Sequence, residues 1–161
     1  MSQEDWRRID IDALEPENHL TLADLSPDSA SSTQFTSSQV QSLAQQIRSQ
    51  LSSGQFQQAL QTALDNPPYV ADSAATKQLH AKTVFETLCS IKNNNSSQDI
   101  SSFVKLLNQE QQDVLIKYLY RSMSEGYGQK QGGLVLNWFE KTVEITGVGA
   151  IARYMTDRRT V

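Results

Sequence analysis

One cysteine, Cys89, and two histidines, His19 and His80, stand in a chain of 161 residues. A single thiol cannot close an internal disulfide, and one cysteine with two separated histidines gives no zinc-ligand spacing. The expectation is a protein without metal or cofactor in a reducing compartment, the cytoplasm. His80 reads as a half-exposed helix residue rather than a ligand. Long apolar runs are missing too: no stretch of about 18 apolar residues occurs, and Met1 to Asp12 is charged, so neither a membrane span nor a signal peptide is expected. Excess positive charge is absent, with a formal net charge of −4 and a pI near 5.1, which argues against a nucleic-acid partner because phosphate binding needs a basic surface. No G-x-S-x-G elbow is present. The glycines of the segment 126–133 lack the Lys-Ser/Thr ending of a phosphate loop and read as a connector. Nothing assigns catalysis.

The charge that is present is unevenly placed. Residues 1–30 carry eight acids against two arginines, a net −6, whereas residues 31–161 carry ten acids against twelve bases, a net +2. The chain divides into an acidic to Ser-rich arm and linker, 1–37, and a body, 38–161. The arm holds no sustained helical period and cannot offset its ordering entropy by itself. Yet Trp6, Arg7, Arg8, Ile9, Asp10, Ile11 and Asp12 alternate apolar and charged, the pattern of an extended peptide with one apolar face. A tail with no partner is the competing reading; the tryptophan and two isoleucines favour docking.

The body reads as helix after helix. Val40, Leu43, Ala44, Ile47 and Leu51 recur with helical spacing before Gly54, and Phe56, Ala59, Leu60, Ala63 and Leu64 form a second stripe ended by Pro67-Pro68. A third helix opens near the cap candidate Asp72 and turns Leu79, Phe85, Leu88, Cys89 and Ile91 inward until Asn93-Asn94-Asn95. Ile100, Phe103, Val104 and Leu107 give a fourth. A fifth, with Val114, Leu115, Ile116, Tyr118, Leu119 and Met123, is apolar almost all round and expected to be central. A sixth carries Leu134, Val135, Trp138, Phe139, Val143 and Ile145. After Gly147, a seventh places Val148, Ile151, Ala152 and Met155 on one face. The fold class is therefore all-α, an antiparallel array of about seven short helices behind an extended, largely irregular N-terminal arm. On the first helix a glutamine-rich polar face, interrupted only by Arg48, fits either a partner or plain solvent. Arg153, Arg158 and Arg159 crowd residues 153–161 and suit either the helix dipole or an interface anchor.

Four segments together resemble one family: Arg7 to Asp12 with Glu17-Asn18, Ala59 to Pro68, Leu115 to Tyr120, and Leu136 to Lys141 running through Gly147-Val148-Gly149 to Arg158-Arg159-Thr160-Val161. In this order and at this length the chain resembles subunit 5, the small helical subunit of the actin-related protein 2/3 complex. The Ser-rich linker from Ser26 to Ser38, where animal relatives are acidic, suggests a fungal-type member, and Phe139 stands where histidine is expected. The resemblance implies a non-catalytic subunit of a hetero-oligomer that nucleates branched actin filaments. It also implies a helical body docked on the propeller subunit and subunit 4, an N-terminal arm reaching actin-related protein 2, and localisation to the actin cytoskeleton, in patches or at the cortex. The alternative is a tetratricopeptide-like adaptor, suggested by Gly54, Ala59 and Ala63-Leu64; the pattern does not recur one period later, and such a solenoid needs about three repeats.

Overall fold

Eight α-helices follow one another along residues 35–94 and 99–161, the part of the chain that the computed structural model describes. Trp6, Arg7, Arg8, Ile9, Asp10, Ile11 and Asp12 lie outside the described residues. The helices are α1 (Ser37–Ser52), α2 (Phe56–Asp65), α3 (Ala74–Asn94), α4 (Ile100–Lys105), α5 (Gln109–Ser124), α6 (Gly126–Lys130), α7 (Gly132–Thr146) and α8 (Gly149–Thr156). The class is all-α, as the periodicity predicts. The pairing outside helices is a single parallel bridge between Phe35 and Ala71, among the described residues.

Local chemistry explains the starts and stops. Thr36 and Gln39 form a capping box at α1, where the Thr36 hydroxyl accepts from the Gln39 N–H and the Gln39 amide oxygen accepts from the Thr36 N–H. Asn108 and Gln111 repeat the device at α5, each box satisfying two donors that a bare helix end leaves orphaned. Gly54 at φ +80° and Gly147 at φ +72° turn the chain after α1 and α7, a left-handed conformation in which a side chain would be strained. The α3 helix starts two residues later than the expected Asp72 cap: Ser73 takes the cap position and accepts from the Thr76 N–H, while the Asp72 carboxylate accepts from the Thr76 hydroxyl and the Ser37 N–H.

Helix α5 is central, packing against α2, α3, α6, α7 and α8. Its Leu115, Tyr118 and Leu119 are fully buried in one core with Leu60, Leu64, Leu88 and Trp138, and Ile116 is fully buried as well, each such aliphatic side chain contributing about 1.5–3 kcal/mol by leaving water. The inner face of α3 departs from expectation. Thr76, His80, Thr83 and Thr87 are buried along with Val84, Leu88 and Ile91, whereas Leu79 and Cys89 are only half-buried. Threonine can be buried here because its hydroxyl returns a hydrogen bond to its own helix: Thr83 donates to the Leu79 carbonyl and Thr87 to the Thr83 carbonyl. His80 is not half-exposed but enclosed, since its Nδ1 lies 2.8 Å from the Tyr118 hydroxyl. The glycine segment is likewise more than a connector. It contains α6, and Gly128 sits so close to the Ser122 carbonyl that a β-carbon would collide with backbone.

Candidate interaction surface

The last turn of the body is built on Lys117. This side chain leaves α5 toward the segment 157–161 and is only 5% exposed, a burial that calls for hydrogen-bonding partners on every side. Lys117 Nζ donates to Asp157 Oδ2 at 2.7 Å, to the Arg159 carbonyl at 3.2 Å and to the Tyr69 hydroxyl at 3.1 Å. Arg159 forks onto the same Asp157 carboxylate and stacks its guanidinium over the Tyr69 ring, 4.9 Å from the centroid. Hydrogen bonds from Arg159 first, then from Lys117, hold the Asp157 carboxyl far below the usual carboxylate range. Lys77 Nζ donates to the Thr160 carbonyl at 2.7 Å, Arg121 Nη1 donates to the Val161 carbonyl, and the Val161 side chain is buried in the core. Residues 157–161 are thus strapped to α3 and α5.

The strap sets how α8 lies. Toward the body, α8 turns Ala150, which is buried, Arg153, which makes a two-pronged ion pair with Asp113 on α5 at 2.7 and 2.8 Å, and Tyr154, which stacks on Tyr120 at 4.2 Å. Tyr120 in turn meets the edge of Phe139 on α7 at 5.3 Å. The apolar face lies elsewhere: Val148 is 73% and Met155 68% exposed, Ala152 is exposed, and Ile151 is half-buried. Of the stripe expected from spacing, Val148, Ala152 and Met155 are turned outward and Ile151 is half-buried, the reverse of an amphipathic helix that hides its apolar face. Leu136 on α7 is also exposed.

The three C-terminal arginines part company. Arg153 and Arg159 are spent inside the chain on Asp113 and Asp157, and Arg158 is exposed with no ion pair to a described residue. Spacing could not reveal this, because Asp113 and Tyr69 are distant in sequence.

An open groove is lined by Arg48, Leu51, Phe85, Glu86, Cys89, Ser90 and Gln131. Its charges pair with each other, Arg48 to Glu86 at 2.9 Å. Burial, with Glu86 adding to it, pushes the Cys89 thiol pKa up, away from a reactive thiolate. Among the described residues no three His, Cys, Asp or Glu side chains are grouped to hold a metal ion, and no helix is long and apolar enough to cross a membrane.

Comparison with known proteins places this arrangement in context. Residues 5–161 match the family model described as ARP2/3 complex 16 kDa subunit (p16-Arc). The chain is 45% identical over 158 residues to actin-related protein 2/3 complex subunit 5 of Saccharomyces cerevisiae, covering 98% of each chain. It is 32% identical over 116 residues to subunit 5-C of Xenopus laevis, covering 72% of this chain and 74% of the relative. Over a further 116-residue alignment it is 31% identical to subunit 5 of Dictyostelium discoideum, covering 72% and 79%.

Proposed function

Because the chain belongs to the ARP2/3 complex 16 kDa subunit (p16-Arc) family, we propose that it braces that complex through its helical body and tethers a second subunit through its N-terminal arm. The family role is that of a non-catalytic structural subunit in a hetero-oligomer of the actin cytoskeleton. Within it, the body docks on the propeller subunit and subunit 4. The arm, net −6 over residues 1–30, reaches actin-related protein 2 through Trp6, Arg7, Arg8, Ile9, Asp10, Ile11 and Asp12, and the complex nucleates filament branches at cortical or patch actin. The observation that carries this reading is the family match along residues 5–161, which includes the alternating arm segment as well as the body. A second contact made through a linker is effectively intramolecular, so a weak arm still strengthens the assembly.

The test is reconstitution of the complex with the full chain and with residues 1–30 deleted. Full-length chain should copurify in stoichiometric amount with the other subunits. The deleted chain should still be incorporated, with branch formation reduced and the cross-link between position 9 and actin-related protein 2 lost. Failure of the full chain to copurify would remove the assembly role, and unchanged branching without any cross-link from position 9 would remove the tether.

A further inference from the structure

We infer that the outward stripe of α8, Val148, Ile151, Ala152 and Met155, is the apolar centre of a docking contact with another subunit of the assembly, one that offers an apolar groove edged with carboxylates. This rests on the reading that the chain is a subunit of a hetero-oligomer. The inversion of α8 carries the inference. A surface helix ordinarily hides its apolar stripe and shows its charges, but here Arg153, itself exposed, reaches back to Asp113 and Tyr154 stacks toward the body, while Met155 and the N-cap residue Val148 face out. The orientation is not loosely held, because the Arg153–Asp113 fork and the Lys117–Asp157 pair fix α8 from within and from its C-terminal end.

Charge selects the partner's rim. Three residues beyond Met155, Arg158 is exposed and has no ion pair to a described residue, while Arg153 pairs with Asp113 and Arg159 shares the Asp157 carboxylate with Lys117. The charge left over in the segment that follows the stripe is therefore positive and calls for a carboxylate opposite it. Size argues against a second copy of this chain. An eight-residue helix is about 12 Å long and offers far less than the roughly 800 Å² per side that a free-standing dimer buries. A short anchored stripe suits one contact among several.

The experiment uses the full chain and the complex reconstituted without it. Val148→Glu combined with Met155→Glu should leave the melting temperature of the isolated chain unchanged, since both side chains are in water, and should weaken incorporation at least tenfold. Arg158→Glu should also weaken incorporation and flatten the dependence of the association rate on salt. Wild-type binding with no loss in the double variant overturns the inference while leaving the assembly role intact; failure of wild type to join the complex refutes that role instead. Two further results would overturn the proposed occupant. One is a wild-type dimer in sedimentation that Val148→Glu dissolves, which assigns the stripe to a second copy. The other is amide protection of 148–155 in the isolated chain that vanishes when residues 1–30 are deleted, which assigns it to the chain's own arm.

Discussion

Lys117 Nζ sits 2.7 Å from Asp157 Oδ2, and the two partners differ in what each loses without the other. Lys117 is enclosed, whereas Asp157 is partly open to water and keeps the Arg159 fork. Neutralising the carboxylate leaves a buried ammonium facing only neutral acceptors: the Tyr69 hydroxyl, the Arg159 carbonyl and the amide oxygen that Asp157→Asn retains. Asp157→Asn should therefore cost about 3 kcal/mol, the lower end for an orphaned buried charge. Lys117→Met, which removes the buried charge itself, should cost roughly 1–2 kcal/mol because a hydrophobic isostere tolerates the site. Urea denaturation of the isolated chain measures both, and a larger loss for Lys117→Met would reverse this account.

His80 is expected to make the fold sensitive to acid. Burial first, and then the nearby Arg121 charge, lower its pKa from 6.5 to about 4. A group whose folded pKa is lowered binds fewer protons in the native state, so its neutral form contributes full stability above about pH 6.5. That contribution falls as pH drops through the window from 6.5 to 4, by roughly 3 kcal/mol in total. His80→Gln, which can still reach the Tyr118 hydroxyl, should flatten stability between pH 6.5 and 4. A curve as steep as wild type would assign the acid sensitivity to other groups.

Trp138 and Leu136 lie two residues apart on α7 with opposite fates. Trp138 is fully buried, while Leu136 is 59% exposed. Trp138→Ala should cost about 3–5 kcal/mol through the cavity it leaves. Leu136→Ala should shift stability by less than about 0.5 kcal/mol. The indole N–H has no hydrogen-bond partner among the described residues, so Trp138→Phe should lose only packing and fall between the two. Thermal melts of the three variants test the order.

Much of the body was legible because its inward residues are aliphatic. Val40, Ala44 and Ile47 on α1, Ala59, Leu60, Ala63 and Leu64 on α2, and Leu115 with Tyr118 on α5 are where their spacing predicts. The α3 interior was harder to read, since Thr83, Thr87 and His80 count as polar until their hydrogen bonds are known. Gly126-Tyr127-Gly128 suggests a flexible link by composition, yet it folds as α6 because its tertiary setting overrides the poor helix propensity of glycine. The α8 stripe was readable as a set but not as a direction. Its orientation depends on Asp113 and Lys117, forty residues earlier, which no local pattern encodes.

Gly128 separates a glycine that is required from neighbours that are not. A β-carbon there meets the Ser122 carbonyl and the backbone carbon behind it, whereas Gly126, Gly132 and Gly133 face open space. Gly128→Ala has to displace the end of α5 and should cost about 1–3 kcal/mol, as overpacking against an immobile neighbour does. Gly133→Ala, inside α7, should instead stabilise by roughly 0.5–1 kcal/mol, because alanine gives up less backbone freedom on folding. Equal losses at both positions, measured by denaturant titration, would mean that the α5–α6 junction yields to the added methyl.

The three C-terminal arginines provide the sharpest separation of folding from assembly. Arg159 joins Asp157 and Tyr69 in the strap, so Arg159→Glu should lower the stability of the isolated chain, by about 1 kcal/mol after allowance for its partial exposure. Arg153→Glu sets two carboxylates against each other at Asp113 and should loosen α8, visible as faster amide exchange in residues 149–156 with the rest of the body protected. Arg158 holds no intramolecular ion pair to a described residue, and Arg158→Glu should leave both melting and exchange unchanged. The helix-dipole reading treats the three as interchangeable cations, since each would act through the same C-terminal partial charge. The geometry ranks them, with Arg159 first in stability, Arg153 first in local opening and Arg158 in neither. Parallel melts and hydrogen exchange on the three reversals decide the matter: three equal, small losses would return all of them to the dipole.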